Sequence, residues 1–217
     1  MSGYVSDVIL IILLFIVFGF LHSFLASNKT KKFLINKTGD LIAFYRLLYV
    51  LFSLFGFYFI YDISPKPHLI IYDLKRPFDI LILIPQFVCL FAALWTLRYF
   101  CLREFLGINQ IGRWLNKKYK TDDLDEELTL RILGPYRYMR HPLYFFSILF
   151  LVFRAEMDLF YLTFLMCIIV YFYIGSFYEE KKLVEKFGQE YLQYQQKVPR
   201  IFPLKPLKPY SINENSD

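Results

Sequence analysis

"PLYFFSILFLVFRAEMDLFYLTFLMCIIVYFYIG", residues 142–175, sets two apolar runs back to back across the four residues "RAEM" at 154–157. Four residues let the chain turn but not travel, so the two runs form an antiparallel helical hairpin. The first run, 142–153, has twelve residues. It rises only about 18 Å against about 30 Å of hydrocarbon, so it is short for a bilayer unless tilted or extended. The second, 158–175, has eighteen residues and lies close to spanning length.

Upstream, residues 5–25, 41–61 and 78–97 are each apolar and long enough to cross a membrane. Of the 217 residues, 57% are hydrophobic, 21% aromatic and only 20% charged, more apolar than a soluble domain of this size carries. The first segment has neither a basic leader nor a small-residue cleavage site and reads as a retained helix. Within the third, Pro85 and Gln86 are the polar or helix-breaking interruption. The expected architecture is an all-α integral membrane protein with about five membrane helices. The last two form a short helical hairpin, and a cytosolic C-terminal helix follows.

Basic residues orient it. With five crossings and the N-terminus outside, loops and tail on the cytosolic side collect 20 Lys and Arg and the outer loops 4, Arg46 lying inside a segment. The expected C-terminus is therefore cytosolic. The net charge of +6 follows mostly from this asymmetry and suits anionic lipid headgroups as partners, with no nucleic-acid footprint. Cys89, Cys101 and Cys167 have no paired spacing, so neither a disulfide framework nor a metal site is expected. A single domain covers 1–210, divided into N-terminal helices and a cytosolic loop (1–132) and a hairpin with C-terminal segment (133–203). The acidic "TDDLDEE" at 121–127 reads as a solvated stretch. Residues 204–217, proline-rich and then polar, read as a disordered tail.

The chemistry gathers at one end of the hairpin. "GPYRYMRHPLY", residues 134–144, crowds Arg137, Arg140 and His141 before Pro142, a favoured first helical residue. The helix start, with free N–H groups and the positive dipole end, suits a carboxylate or phosphate. Tyr144 projects from its first turn. Because the hairpin is antiparallel, Glu179 and Glu180 return to the level of Arg140 and His141. Cations for a carboxylate, glutamates for an ammonium or ribose hydroxyls, and aromatic faces for a sulfonium or adenine together match S-adenosylmethionine. Taken singly, the same residues also suit positive-inside anchors, an aromatic belt and a solvated helix start.

This segment, continued by "EE" at 179–180 and "FGQEYLQYQQKVPRIFP" at 187–203, closely resembles a superfamily of integral-membrane methyltransferases that use S-adenosylmethionine. The superfamily includes isoprenylcysteine carboxyl and phospholipid N-methyltransferases. The resemblance covers roughly 133–203 and implies that Arg137, Arg140, His141, Pro142, Tyr144, Glu179 and Glu180 bind the cofactor. Toward the N-terminus, His22 of "GFLHSFLAS" (19–27) and Arg46 and Tyr49 of "YRLLYVLFS" (45–53) are ionisable or polar groups at cytosolic helix ends, and such groups are functional candidates. His22 also suits a helix cap, and Arg46 a snorkelling anchor. Their arrangement, with "REFLGINQ" at 103–110, resembles the NnrU-like group and its methanethiol S-methyltransferases. Gly175 stands where eukaryotic prenylcysteine enzymes carry an arginine, which favours a thiol. A small-molecule thiol or a lipophilic methyl acceptor is expected, with His22, Arg46 and Tyr49 as its catalytic residues. Carboxyl methylation of a prenylated cysteine and N-methylation of a lipid amine are the alternatives. A transporter or regulator on the same scaffold is the reading from another class.

Overall fold

Residues 2–120, 129–203 and 209–210 are described in the computed structural model. The acidic run at 121–127 and tail residues 204–208 and 211–217 lie outside them. In chain order come α1 (Ser2–Ala26), α2 (Asn28–Thr38), α3 (Tyr45–Ile63), β1 (Ile70–Asp73), α4 (Phe78–Leu81) and α5 (Leu83–Thr96). There follow α6 (Leu102–Phe105), α7 (Ile108–Leu115), α8 (Pro142–Val152), β2 (Glu156–Asp158), α9 (Leu159–Phe187) and α10 (Gln189–Lys197). Among the described residues, four helical stretches are long and apolar enough to cross a membrane: Gly3–Ala26, Asn28–Ile63, Phe78–Tyr99 and Leu159–Phe187, with Pro142–Val152 a shorter apolar helix. The protein is an integral membrane protein of the all-α class.

The described residues divide into two compact units, one of residues 2–67 with 101–120 and the other of 68–100 with 129–203 and 209–210.

In the first unit, α1 turns a single stripe inward. Ile11, Phe15 and Phe18 are buried at the four- and three-residue steps of one helix face. His22 continues the stripe. Its other faces carry exposed Val5, Ile9, Ile16 and Phe20, as a lipid-facing helix requires. Phe15 and Phe18 both meet Phe57 of α3 edge-on, with ring centroids 6.1 and 6.4 Å apart. A β-carbon at Gly56 would stand 3.0 Å from the Phe18 ring, so the glycine admits this approach. After α1, Ser27 caps α2 by accepting from Thr30 N. The separate helix α2 was not expected from the sequence. In the same unit, Glu104 is buried and takes both ends of the Arg113 guanidinium, at 2.7 and 3.3 Å.

In the second unit, α5 packs along α8. Pro85 withholds an N–H from the carbonyl of Leu81, and the helix breaks at Ile82 between α4 and α5. Gln86 Nε2 donates to Phe150 O of α8 at 3.2 Å, so the polar interruption of this segment is spent on helix packing. The connection between the hairpin arms is more ordered than a bare turn. β2 pairs antiparallel with β1, Ile70 opposite Asp158 and Asp73 opposite Glu156, and Asp158 then caps α9 by accepting from Tyr161 N at 2.7 Å. The arms are unequal, 11 residues in α8 and 29 in α9. α9 runs on through the glutamate pair to Phe187. Gly188, with φ 56°, ends it and starts α10. Tyr191, Tyr194 and Val198 of the α10 region then pack with Ile132 into a small buried core.

Candidate functional site

The "GPYRYMRHP" stretch is built on a glycine nothing else could replace. Gly134 has φ 56°, and a β-carbon there would stand 2.4 Å from the ring of Tyr99. From it the chain makes one tight turn over Gly134–Arg137 and runs alongside residues 199–200. Arg140 N donates to Pro199 O and His141 N to Arg200 O, both at 2.9 Å. Two segments some sixty residues apart in sequence are thus paired by backbone before any side chain acts.

Glu180 is the hub. It is 2% exposed and its two oxygens accept five hydrogen bonds. Oε1 takes Arg140 Nε at 2.7 Å and His141 Nε2 at 3.0 Å. Oε2 takes Arg140 NH2 at 3.1 Å, Gln195 Nε2 at 2.9 Å and Arg200 NH2 at 2.9 Å. Arg140 also donates through NH1 to the carbonyls of Gln195 and Val198, capping the end of α10 where carbonyls are unpaired. Both residues are spent within the protein. A carboxylate this deep is tolerable only when so fully paired.

Glu179 stands differently. Its side chain is 47% exposed and accepts from Tyr144 Oη at 3.0 Å, with His141 Nδ1 3.5 Å away. Tyr144 lies between two parallel partners, the His141 ring at 5.2 Å and 7° and the Phe172 ring at 4.6 Å and 11°. Burial of the Tyr136 phenol, and after it the charge of Glu179, push that phenol up to about 12. Pro142 is buried at the first position of α8, and no side chain caps that helix start. Arg137 takes no part in the Glu180 bonds described. It exchanges hydrogen bonds with Tyr210, Nε to Tyr210 O at 2.8 Å and Tyr210 N to Arg137 O at 3.0 Å, which ties a residue of the expected tail to the unit.

Arg200 and Gln195 were missed as site residues. Their signal was present in the sequence, since "QQKVPRIFP" carries the resemblance, but only the backbone pairing to Arg140 and His141 reveals which side chains turn inward. Arg200 lies over the Phe177 ring at 3.5 Å, and its buried Nε has no hydrogen-bond partner among the described residues. A buried donor of a charged group left unpaired is costly.

In the first unit, His22, Arg46 and Tyr49 do come together. Tyr49 Oη lies 2.5 Å from His22 Nε2, and Ser53 Oγ 3.0 Å from Nδ1. Arg46 is no free snorkelling anchor. Its Nε donates to Phe105 O at 2.8 Å and its guanidinium lies 5.0 Å from the Phe105 ring centroid and 5.7 Å from that of Tyr49. Gly107 makes that approach possible: with φ 83°, its β-carbon would fall 2.7 Å from Leu47 N. Thus "REFLGINQ" is held on the start of α3 through Arg46. Among the described residues no set of three His, Cys, Asp or Glu side chains gathers as a metal site.

Two curated proteins resemble the chain. Methanethiol S-methyltransferase 1 of Bradyrhizobium diazoefficiens is 26% identical over 201 residues, 90% of this chain and 67% of that protein. Methanethiol S-methyltransferase of Pseudomonas deceptionensis is 37% identical over 68 residues, 31% of this chain and 26% of its own length. No family model and no solved structure matches. The two relatives support the resemblance read from the motifs, to the methanethiol S-methyltransferases and the isoprenylcysteine-carboxyl-methyltransferase-like membrane methyltransferases.

Proposed function

We propose that the protein is an S-adenosylmethionine-dependent membrane methyltransferase whose acceptor is a small thiol. The observation that carries the reading is the convergence of both motifs on Glu180, beside an open carboxylate and an Arg200 Nε with no partner among the described residues. The similarity to proteins named methanethiol S-methyltransferase supports the thiol as acceptor class.

The donor set fits the cofactor. Arg200 Nε is read as the partner of its carboxylate, Glu179 as that of its ammonium or ribose hydroxyls, and the His141, Tyr144 and Phe172 rings as the aromatic side of the site. Bound there, S-adenosylmethionine supplies a methyl group already activated on a sulfonium sulfur. The protein then has little covalent work to do. It must hold donor and acceptor in line, which is worth orders of magnitude in rate, and take the thiol proton, because the thiolate is the nucleophile. Arg140, His141 and Glu180 keep the α9 and α10 ends in register so that Glu179 and Arg200 stand where they do. His22, Tyr49 and Arg46 are assigned to the acceptor.

The test is methyl transfer by the purified protein from labelled S-adenosylmethionine to a panel of methanethiol and larger thiols, prenylcysteines and aminolipids. The expected result is labelled thioether from a small thiol. Transfer only to prenylcysteine or lipid amine would overturn the acceptor class, and absence of cofactor binding by calorimetry would overturn the reading altogether.

A further inference from the structure

Ser53 decides which proton His22 carries. Its Oγ donates to Tyr49 O, one helical turn back, at 2.8 Å, a common local bond for a helical serine. A hydroxyl has one proton. Toward His22 Nδ1, 3.0 Å away, the same oxygen therefore accepts, and Nδ1 carries the ring hydrogen. Nε2 then offers a lone pair, and Tyr49 Oη, 2.5 Å from it, donates. The order is a directed chain: Tyr49 hydroxyl to His22 Nε2, His22 Nδ1–H to Ser53 Oγ, Ser53 hydroxyl to the carbonyl of Tyr49. Tyr49 and Ser53 reach His22 together because they lie four residues apart on one face of α3. His22 reaches them as the continuation of the buried stripe of α1.

We infer that Tyr49 is the residue that takes the acceptor's proton, with His22 behind it as the final base and Ser53 as the positioning residue. This rests on the thiol reading above. In the step, the thiol S–H bond breaks as its proton passes to Tyr49 Oη, while the proton of Tyr49 passes to His22 Nε2. The sulfur keeps the electron pair of the S–H bond and becomes the thiolate. His22 ends as an imidazolium hydrogen-bonded to Ser53 and returns its proton through Tyr49 to water. The Arg46 guanidinium, 5.7 Å from the Tyr49 ring centroid, favours negative charge on the phenol oxygen or the thiol sulfur during transfer. Tyr49 is half-buried, as a residue must be that meets a substrate and is also braced from behind.

The tautomer can be read without any acceptor. The chain has three histidines, so nitrogen-15 NMR of histidine-labelled protein in detergent, with the His22 signals assigned by their loss in His22→Gln, reports which ring nitrogen is protonated. The expected result is Nδ1–H in the wild type and in Ser53→Thr, shifting toward Nε2–H in Ser53→Ala. In turnover with saturating cofactor and methanethiol, Ser53→Ala should lower kcat about ten- to a hundredfold, as loss of a histidine's orienting partner does. Ser53→Thr should restore it, and the cofactor KM should not move. Tyr49→Phe should cost about 10²–10⁴-fold. An Nε2–H tautomer in the wild type, or normal turnover in Ser53→Ala and Tyr49→Phe, overturns the relay alone. Failure of the wild type to methylate any thiol, with the Nδ1–H tautomer present, overturns the thiol reading and removes the relay's purpose with it.

Discussion

Glu179 and Glu180 are neighbours in sequence with opposite duties, and the difference is burial. Glu180, at 2% exposure with five donors, pairs with Arg140, Arg200 and the His141 edge at once. Glu180→Ala should therefore leave buried cations uncompensated and cost about 3–5 kcal/mol, seen as a large fall in melting temperature in detergent or as failure to fold. Glu179, 47% exposed with one phenol on it, holds little of the fold together. Glu179→Ala should shift stability by about 1 kcal/mol or less, yet lower S-adenosylmethionine affinity about ten- to a hundredfold, the loss of one hydrogen bond to a charged group. Thermal melting and calorimetry on both variants check the pair. Equal loss of stability in the two would erase the distinction.

At the scale of the element, the turn that starts the motif depends on Gly134 and the ring of Tyr99. Gly134→Ala combines a positive φ of 56° with a β-carbon 2.4 Å from that ring, so it should destabilise by about 2–5 kcal/mol. Gly112, inside α7 with nothing within 4 Å of its β-carbon position, is the control. Gly112→Ala should be neutral or stabilise by up to about 1 kcal/mol. Fluorescence-monitored melting separates the two, and similar melts would sink the account of the turn. The same turn carries an alkaline signature. The Tyr136 phenol is pushed up to about 12 in the folded protein from 10, so its contribution to stability is whole below pH 10 and is lost as pH rises from 10 through about 12. Tyr136→Phe, which cannot ionise, should retain about 1–3 kcal/mol more of its neutral-pH stability than the wild type at the top of that range. Parallel melts across the range check it, and identical alkaline losses in the two proteins would refute it.

What the sequence made legible at this scale follows from the membrane as solvent. Apolar length and the "RAEM" turn gave the helices and the hairpin, because in hydrocarbon every backbone group must be satisfied within the segment. The inward faces were not legible. α1 is apolar all round, so the stripe Ile11, Phe15, Phe18 cannot be told from exposed Ile9 or Ile16 by periodicity, and only packing against Phe57 selects it. The β1–β2 pair and the start of α2 rest on three or four residues of backbone pairing and on one serine cap, too little to stand out in composition. For the candidate site, charge and spacing singled out the glutamates and the "RHP" residues as candidates. The partners Gln195 and Arg200 depend on a backbone pairing at residues 140–141 with 199–200, which no local pattern announces.

At the scale of the whole molecule, charge and helix length argue for one orientation. α9 has 29 residues, about 43 Å of rise against about 30 Å of hydrocarbon. Its far end therefore protrudes, carrying Glu179, Glu180, Lys181, Lys182 and Lys186 into the headgroup layer or beyond. Lysines there, with Arg200 and Lys197 after them, are expected on the cytosolic side by the bias of basic residues, and the distribution of 20 against 4 extends that expectation over the chain. Cys101 is exposed and sits in the loop richest in Lys and Arg, whereas Cys89 is buried and Cys167 half-buried. It is a native reporter of the side on which that loop lies. In intact cells, a membrane-impermeant maleimide should leave Cys101 unlabelled and should label it after permeabilisation. A cysteine placed in the tail, Asn213→Cys in a background lacking the native three, should behave the same way. Labelling of either from outside intact cells would reverse the orientation and place the Glu179 end away from the cytosolic pool of S-adenosylmethionine, so the same result would also count against the proposed cofactor.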